Sequence, residues 1–444
     1  RYSTDTGIAL RIRGRLNGVS PEAFATLDGD RYARLWGLAS FGHVFCHLLP
    51  IQLRVRALSL EPAEEERWRA WFLGSLSENL YRTGLPAELD LSFTGPRLDP
   101  RTSAAPLAES AVLMSGGGKD SAVAAELLKC LGIPFRWYTF QSDRGHAGEQ
   151  DRSPQEIARI CGDSPLITGT SISEVRAPNR TEFKSAEPER LRRRYRRHRK
   201  RYLDLNWLSL MSQTVEACLV AEATDSRYVL IGNERSANEG NGVRVGDLDV
   251  NHQYVKSYAF EREFAAFLAK YLHPELRYAG LLMPFYELQI ARIFASHPKY
   301  FPAFRSCNRR APDRPWCLEC PKCAFVFLML SAFIDEEAIR QIFRADLLTE
   351  SALVKTFRDL CGRGGHKPLE CVGHFEESLL ALYLASSRRD TPLHPELASI
   401  VPSPERAKGL RRRFLSTYNE DAGLPGAWNE TLRKAVPAPN PEVE

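Results

Sequence analysis

The sequence predicts an α/β protein built around a parallel sheet. Short apolar runs that are typical of buried strands alternate with helical patterns through the middle of the chain. A run of three glycines separates the first of these strands from its helix. Strands that are joined through helices form parallel sheets with right-handed crossovers. A chain of 444 residues is long enough for two or three domains.

Residues 1–105 are predicted to form an α+β N-terminal domain. Short apolar segments, such as residues 8–12, occur there together with a helical stretch at residues 32–49. The turn-rich segment 92–106 marks the end of this domain.

Residues 106–337 are predicted to contain the parallel sheet. The apolar run 111–114 leads into the glycines, and helical spacing at 122–131 ends at Gly132, a typical C-terminal stop. Similar patterns predict a strand at 135–140, a helix at 154–161, a longer helix at 205–223 and a strand at 228–232. Ligands of parallel sheets bind beyond the carboxyl ends of the strands. The glycine loop and the segment that begins at residue 232 are therefore candidate binding segments.

The C-terminal region has a different character. Residues 338–435 are predicted to be helical, with one glycine-rich break at 362–365. Residues 436–444 are predicted to be a disordered tail.

The composition is that of an ordinary globular protein, with 43% hydrophobic and 26% charged residues. The longest apolar stretch, 324–334, is shorter than the roughly 20 residues that a membrane span needs, so no membrane partner is expected. Four of the ten cysteines crowd into one short segment, which favours a metal site over a disulfide framework and predicts a reducing, cytoplasmic location. No feature indicates the oligomeric state.

The net charge of +5 does not by itself indicate nucleic acid. Residues 190–201 read RLRRRYRRHRKR, so nine of twelve are Arg or Lys. Such a run is typical either of a solvated surface or of a site for a polyanion, and the sequence leaves both open.

The loop Ser115-Gly116-Gly117-Gly118-Lys119-Asp120-Ser121 is suited to phosphate. Successive glycines let the backbone approach a ligand, and the helix that follows adds a partial positive charge. A Walker loop is excluded, because it needs a glycine where Leu113 stands and a Ser or Thr where Asp120 stands. The alternative is a glycine-rich turn without a ligand.

The motif SGGGKDS resembles the pyrophosphate (PP) loop of the N-type ATP pyrophosphatases, which have an adenine-nucleotide α-hydrolase-like core. The resemblance implies that the loop grips the outer phosphates of ATP while a carboxylate or carbonyl oxygen attacks the α-phosphorus. It implies ATP and Mg²⁺ as cofactors, with Lys119 offsetting charge and Asp120 helping to place Mg²⁺. The residues that would hold the nucleotide are Ser115, Gly116, Gly117, Gly118, Lys119, Asp120, Ser121, Gly232 and Asn233.

Four cysteines, Cys307, Cys317, Cys320 and Cys323, have spacing suited to tetrahedral Zn²⁺. A structural zinc clip is the leading interpretation, an iron–sulfur cluster the second and metal-free cysteines the third. The segment WCLECPKC also resembles the zinc segment of the 7-cyano-7-deazaguanine synthases.

Three more segments narrow the resemblance: GNERSANEGN from residue 232, VNHQYVKSY from residue 250 and KPLECVG from residue 367. With SGGGKDS and WCLECPKC, they resemble the UDP-N-acetylmuramoyl-L-alanyl-L-glutamate epimerases, the MurL family. That family inverts the terminal glutamate of a peptidoglycan precursor and converts ATP to AMP and pyrophosphate. An adenylated carboxylate loses its negative charge, so a side chain can remove the neighbouring α-proton.

The resemblance implies two opposed proton carriers, each expected to contribute about 10²–10⁴-fold. The candidates are Glu234, His252, Lys256 and Cys371, and each has a structural alternative, such as a buried apolar role for Cys371. Glu234 could also bind Mg²⁺ or the ribose. Candidate substrate-binding residues are Asn238, Asn241, Asn251, Lys256, Arg193 and Arg197, although the asparagines also suit turns.

A deazaguanine-forming or tRNA-modifying enzyme with the same adenylating loop is the alternative function, and a nucleotide-binding module without activity is a further one. The expected partner is a small molecule rather than nucleic acid.

Overall fold

The computed structural model describes residues 2–3, 9–41, 52–84, 86–142, 152–162, 164–176, 209–307, 309 and 315–437. Within them, a seven-stranded sheet has the order β1-β2-β7-β6-β5-β8-β11. Its strands are β1 (Tyr2–Ser3), β2 (Ala9–Asn17), β5 (Ala108–Ser115), β6 (Phe135–Ser142), β7 (Leu166–Arg176), β8 (Ser226–Glu234) and β11 (Arg277–Leu282).

Five neighbouring strands of this sheet, β7, β6, β5, β8 and β11, run parallel, whereas β1 and β2 are antiparallel additions at one edge. The predicted α/β architecture with a mostly parallel sheet is confirmed. Two further pairs of strands form small sheets: β3 (Gln52–Val55) with β4 (Asp90–Phe93), and β9 (Arg244–Val245) with β10 (Leu248–Asp249).

Helices cover both faces of the sheet. On one face lie α1 (Gly29–Ala39), α2 (Pro62–Thr83), α5 (Leu210–Ala223) and α6 (Tyr258–Tyr271). On the other face lie α3 (Lys119–Leu131), α4 (Ser153–Cys161), α7 (Glu287–Ala295), α8 (Pro321–Ser331), α9 (Glu336–Phe343), α10 (Val354–Leu360), α11 (Phe375–Ser386), α12 (Pro395–Ala398), α13 (Pro404–Leu415) and α14 (Asn429–Lys434).

The side chains of β5 show how the two faces are filled. Leu113 packs in the core that contains α3, whereas Val112 and Met114 pack in the opposite core with α5. Successive side chains of a strand point to opposite faces. A central parallel strand is therefore apolar at consecutive positions, which is the pattern that predicted this strand.

The strand order creates a crevice beside β5. From β5 the chain continues outward to β6 and β7 on one side, whereas β8 and β11 lie on the other. The order of the strands thus reverses between β5 and β8. Open parallel sheets bind ligands at such a reversal, beyond the carboxyl ends of the strands. The glycine loop follows β5, and Glu234 ends β8.

Most of the predicted elements are confirmed. Helix α3 ends at Gly132, whose φ of 68° is the left-handed conformation expected of a glycine stop. The helix predicted at 32–49 corresponds to α1, and residues 42–50 lie outside the described residues. The helix predicted at 205–223 is described from Leu210 onward.

The N-terminal region shares the central sheet. Strand β2 pairs with β7 from Ala9 to Asn17, so residues before position 105 extend the sheet assigned to the central domain. The division at residues 105 and 337 stays a prediction. Most of the predicted tail, residues 438–444, lies outside the described residues. None of the described helices combines the length and apolar character that a membrane span needs.

Candidate active site

The glycine loop is shaped by its own serines. The Ser115 hydroxyl accepts a hydrogen bond from the backbone N–H of Gly117 at 3.3 Å, and the Ser121 hydroxyl accepts one from the N–H of Gly116 at 3.2 Å. Helix α3 begins at Lys119 without a side-chain cap. Because the first N–H groups of a helix have no intrahelical acceptor, this end of α3 can receive an anion.

Two of the glycines differ in what surrounds them. Gly117 has a φ of 76°, and a Cβ atom there would lie 2.3 Å from the Ser153 hydroxyl and 2.7 Å from the Pro154 nitrogen. A Cβ atom at Gly116 would meet no described atom within 4 Å. The fold itself therefore requires glycine at position 117, whereas Gly116 leaves the approach to the loop open.

Gly232 lets the end of β8 approach the loop closely. A Cβ atom at this position would lie 3.1 Å from the Cβ atom of Asp120. The next residue, Asn233, is buried, and its amide donates a hydrogen bond to Glu261 of α6 at 3.4 Å. The structure thus brings Gly232 to the loop and directs the Asn233 amide toward α6.

The Lys119 side chain is fully buried and paired with two carboxylates. Its ammonium lies 2.5 Å from an oxygen of Asp120 and 2.5 Å from an oxygen of Glu287, the first residue of α7. Burial would lower the pKa of Lys119, but these two carboxylates raise it above its usual value. The lysine charge is therefore retained and already compensated inside the protein.

Asp120 is the more accessible of the two carboxylates, with 26% of its side chain exposed against 1% for Glu287. Burial would raise the pKa of Asp120, but the charges of Lys119, Lys322 and Lys256 lower it below its usual value. An ionised, accessible carboxylate beside the loop suits the predicted Mg²⁺ role.

A second cluster surrounds the buried thiol of Cys371. The Lys256 ammonium lies 3.8 Å from its sulfur, and His252 also contacts it. Burial would raise the pKa of Cys371, but the Lys256 charge, the His252 contact and the Lys322 charge lower it below its usual value. Nearby cations favour a thiolate, the nucleophilic and basic form of cysteine.

The imidazole of His252 is held in its charged form. Its Nδ1 atom forms a hydrogen bond with Glu78, which also accepts one from Arg82. Burial opposes protonation, yet the hydrogen bonds with Cys371 and Glu78 raise the pKa of His252 to about 9. At neutral pH His252 is therefore a cation beside Cys371 rather than a free base.

Glu234 lies at the end of β8, and its pKa is shifted upward rather than downward. It is a buried residue at the last position of this strand. Burial raises its pKa above the usual value, and Glu287 adds to this effect, although Lys256 opposes it. The pKa of Glu234 is therefore shifted in the direction opposite to that of Asp120.

A further buried acid, Glu377, lies beside the KPLECVG segment. Its two oxygens accept backbone N–H groups from Leu288 at 3.2 Å and from His374 at 3.1 Å. Burial, followed by the charge of Glu287, raises the pKa of Glu377 to about 8. A Cβ atom at Gly373 would lie 3.1 Å from a Glu377 oxygen, so the KPLECVG segment packs closely here.

Three asparagines that were predicted to bind substrate form backbone hydrogen bonds through both the NH2 group and the oxygen of the side-chain amide. This arrangement braces the loops between β8 and α6. Their substrate role stays a prediction. The side-chain NH2 groups of Asn238, Asn241 and Asn251 donate to the carbonyls of Arg235, Pro368 and Ala237, respectively. Their side-chain oxygens accept from the backbone N–H groups of Tyr258, His252 and Gln253, respectively.

The four clustered cysteines converge as predicted. The sulfurs of Cys307, Cys317, Cys320 and Cys323 lie within 4.8 Å of one another, with 3.8 Å between those of Cys317 and Cys323. Backbone N–H groups approach three of them at 3.4 Å. Four sulfurs about 2.3 Å from a tetrahedral ion would be about 3.8 Å apart. The cluster could therefore hold a metal ion.

Comparison with known proteins identifies the family. Residues 44–156 and 211–281 match the MurL N-terminal domain, and residues 303–409 match the MurL C-terminal domain. A UDP-N-acetyl-alpha-D-muramoyl-L-alanyl-L-glutamate epimerase from Xanthomonas oryzae pv. oryzae is 30% identical over 353 residues, which cover 77% of this chain and 71% of that protein. The chain belongs to the MurL epimerase family.

Two other MurL epimerases match a shorter part of the chain. The proteins from a Micromonospora species and from Salinispora tropica carry the same name and are each 41% identical over 182 residues. These matches cover 39% of this chain and 40% and 39% of the respective relatives.

The two MurL domain matches both contribute to the candidate site. The glycine loop, Glu234 and Lys256 fall in the N-terminal match, whereas Cys371 and the four clustered cysteines fall in the C-terminal match. Neither match covers residues 157–210, where Arg193 and Arg197 stand, and both arginines lie outside the described residues.

Several site residues of this MurL chain were not predicted from the sequence. Glu287 begins an apolar helix, Glu78 lies within the long helix α2, and Lys322 stands between two cysteines of the cluster. The capping pattern of α11 marks Glu377 as a helix-terminus residue only. Their place in the site depends on packing between distant segments, for which no local pattern exists.

Proposed function

We propose that this chain inverts the terminal L-glutamate of UDP-N-acetyl-α-D-muramoyl-L-alanyl-L-glutamate after adenylating its carboxylate with ATP. Family membership supports the substrate and the inversion. One structural observation carries the mechanism. The glycine loop lies at the reversal of strand order, and the charges of Lys256 and Lys322 lower the pKa values both of Asp120 in this loop and of the Cys371 thiol. The parallel strands on both sides of that reversal support a PP-loop type of core.

The proposed chemistry answers a specific difficulty. Removing a proton next to a free carboxylate would place a second negative charge beside the first. Adenylation neutralises the carboxylate and lets its carbonyl accept electron density. The enzyme then needs one group to take the α-proton, another to return a proton on the opposite face, and water to release AMP.

The loop residues are assigned to ATP. The open backbone at Gly116 and the uncapped start of α3 would receive the outer phosphates. Asp120, ionised and partly accessible, would help to hold Mg²⁺, which supplies charge stabilisation on the phosphates when bound. Lys119 holds Asp120 and Glu287 in place.

Cys371 and Glu234 are assigned as the two proton carriers. Their environments move their pKa values in opposite directions, downward for Cys371 and upward for Glu234. Pairs of this kind separate a base from an acid at one pH. Lys256 interacts with both groups, and His252 stabilises the thiolate. In the L-to-D direction the Cys371 thiolate takes the proton and the Glu234 carboxyl group supplies one.

The remaining assignments follow the same function. Arg193, Arg197 and the three asparagines are candidates for the diphosphate and carboxylates of the substrate. Zn²⁺ is the proposed occupant of the cysteine cluster, where four sulfurs leave no open position. A cytoplasmic location suits ATP, a UDP-linked precursor and reduced cysteines.

Two product analyses test this function. Labelled ATP should yield AMP and pyrophosphate only when the muramoyl dipeptide is present, and release of ADP would contradict the proposed activation. In heavy water the inverted glutamate should carry deuterium at its α-position, and retention of the original hydrogen would exclude proton exchange. Turnover that depends on tRNA or on a deazaguanine carboxylate would favour the alternative adenylating enzymes.

A further inference from the structure

Lys322 is a buried cation without a carboxylate partner. Only 8% of the residue is exposed. In the part of the chain that the structure describes, its ammonium makes no hydrogen bond or ion pair, and it lies 5.6 Å from the centroid of the Phe325 ring. A buried charge is costly unless it is paired or hydrogen-bonded. The Lys322 ammonium is therefore suited to receive an anionic ligand.

Other lysines around the site already have partners. Lys119 pairs with two carboxylates, and the buried Lys367 donates a hydrogen bond to the Glu239 carbonyl at 3.1 Å. Lys256 lies against the Cys371 sulfur. Lys322 is thus the one of these four lysines whose ammonium makes no hydrogen bond or ion pair with the described residues.

Lys322 lies close enough to the candidate active site for its charge to influence it. Its charge acts on Asp120 beside the glycine loop, on Glu234 at the end of β8 and on the Cys371 thiol. Packing agrees with this placement, because the ring of Phe325 lies 2.9 Å from where a Cβ atom of Gly373 would be. The N-terminal half of α8 therefore packs against the segment that carries Cys371.

The cysteine cluster fixes both the lysine and the loop. Cys320 caps α8 by accepting the N–H of Cys323 at 3.4 Å, so Lys322 stands between two ligands of the cluster. On the other side, the Arg305 N–H donates to the Gly117 carbonyl at 2.9 Å, two residues before Cys307. One cluster thus connects the phosphate loop with the wall that contains Lys322.

We propose that Lys322 is a further substrate-binding residue, whose ammonium receives an oxyanion of the reacting groups and is held in position by the four-cysteine site. The proposal rests on the adenylating function above and assigns a cation to that site. Its ligand chemistry is a phosphate or carboxylate oxygen. The two sources are the pyrophosphate part of ATP and the acidic groups of the muramoyl dipeptide.

The start of α8 strengthens this choice of ligand. An ammonium beside a helix N-terminus adds a full charge to the partial positive charge of the helix. Because the charge of Lys119 is already offset by Asp120 and Glu287, it adds little net attraction for an incoming anion. Lys322 supplies the attraction that Lys119 does not.

Three variants test the proposal. Lys322→Met keeps an aliphatic side chain and removes the charge. Lys322→Gln also removes the charge but keeps a polar group, and Lys322→Arg keeps the charge. Lys299→Met is the matched control, because Lys299 is half exposed and pairs with Glu126 at 2.9 Å, away from these contacts. Metal content and thermal unfolding are measured for every variant.

The readout is binding by calorimetry to the zinc-loaded protein, with magnesium pyrophosphate in one arm and the muramoyl dipeptide in the other. The neutral variants should lose about 10- to 100-fold in affinity for one of the ligands, as expected for a lost charged hydrogen bond. The arginine variant should recover part of that affinity, and the Lys299 control should bind both ligands normally.

The arm in which affinity falls identifies the source of the oxyanion. Unchanged affinity for both ligands in the neutral variants would overturn the proposal, and so would an equal loss in the arginine variant, since charge would then be irrelevant. If the methionine variant does not fold, the glutamine variant supplies the same comparison. Both assays report binding without turnover, so they stay informative even if the nucleotide product proves to be ADP.

Discussion

The ammonium of Lys256 lies 3.8 Å from the sulfur of Cys371, although these residues come from distant parts of the chain. Lys256 belongs to a short 3₁₀ turn before α6, and Cys371 belongs to the segment before α11. A cation beside a buried thiol stabilises the thiolate. This relationship makes Cys371 a sharper candidate for the carbon base than its sequence alone could.

Replacement of Cys371 should separate the two halves of the reaction. In Cys371→Ser and Cys371→Ala, deuterium incorporation at the α-carbon should fall by about 10²–10⁴-fold, the range for loss of a general base. Formation of AMP should continue, because adenylation precedes proton removal. Both products are measured in one reaction by mass spectrometry.

Cys361→Ala is the control for that experiment. Cys361 is equally buried, but burial raises its pKa to about 12, and the charge of Arg363 offsets this rise only in part. This variant should keep its exchange rate. If Cys371→Ala exchanged deuterium at the wild-type rate, Cys371 would not be a proton carrier.

Loss of Lys256 should shift the titration of Cys371 upward. Lys256 is the largest of the influences that lower the pKa of this thiol, so Lys256→Met should raise that pKa. The thiolate fraction at neutral pH then falls, and activity falls with it. The rate of alkylation of Cys371, followed against pH by peptide mass spectrometry, should move to higher pH.

Lys355→Met is a suitable comparison, because Lys355 is exposed and pairs with Asp359 in α10. It should leave the alkylation profile of Cys371 unchanged. A profile that stayed in place in Lys256→Met would show that the ammonium does not control this thiol.

The parts of the site that the sequence predicts correctly are local. The apolar run before Ser115, the glycines and the helical spacing after them fix a strand, a loop and a helix from neighbouring residues alone. The cysteine cluster is similar, since three of its four cysteines lie within seven residues of chain. Short-range geometry allows few alternatives in such segments.

The parts that the sequence does not predict depend on contacts between distant segments. Glu287 becomes a partner of Lys119 only because α7 packs beside α3. Strand β2 is placed in the central sheet by β7, not by any pattern of its own. Asn241 is in a loop, as its residue type suggests, but its partner Pro368 comes from another region. Periodicity carries no information about these pairings.

Alanine at Gly117 and alanine at Gly116 should have different effects, the first on stability and the second on ATP binding. Gly117→Ala would place a side chain on left-handed backbone, which costs about 1–2 kcal/mol, and would overlap Ser153. Gly116→Ala meets no described atom within 4 Å and should leave the free energy of unfolding nearly unchanged. If phosphates lie on the open backbone, Gly116→Ala should still weaken ATP binding.

Denaturant unfolding and ATP calorimetry on both variants check this contrast. The expected result is lost stability in Gly117→Ala and lost ATP affinity with normal stability in Gly116→Ala. Normal ATP affinity in Gly116→Ala would indicate that the nucleotide does not contact this part of the loop.

The contacts of His252 with Cys371 and Glu78 should make the free energy of unfolding fall as the pH becomes alkaline. The pKa of His252 is raised from 6.5 to about 9, so the folded protein binds its proton more tightly than the unfolded chain does. This contribution is complete below pH 6.5 and is lost as the pH rises through about 9. The pKa of Glu78 is lowered, so its own contribution is lost only in acid.

The wild-type protein should therefore lose more stability between neutral pH and pH 9 than His252→Gln does, with a difference on the order of 2–3 kcal/mol at most. Denaturant unfolding at a series of pH values measures both slopes. His366→Gln, at an exposed histidine, should follow the wild-type curve. Parallel curves for the wild type and His252→Gln would mean that His252 is not held as a cation, and the stabilisation of the Cys371 thiolate would then rest on Lys256 and Lys322.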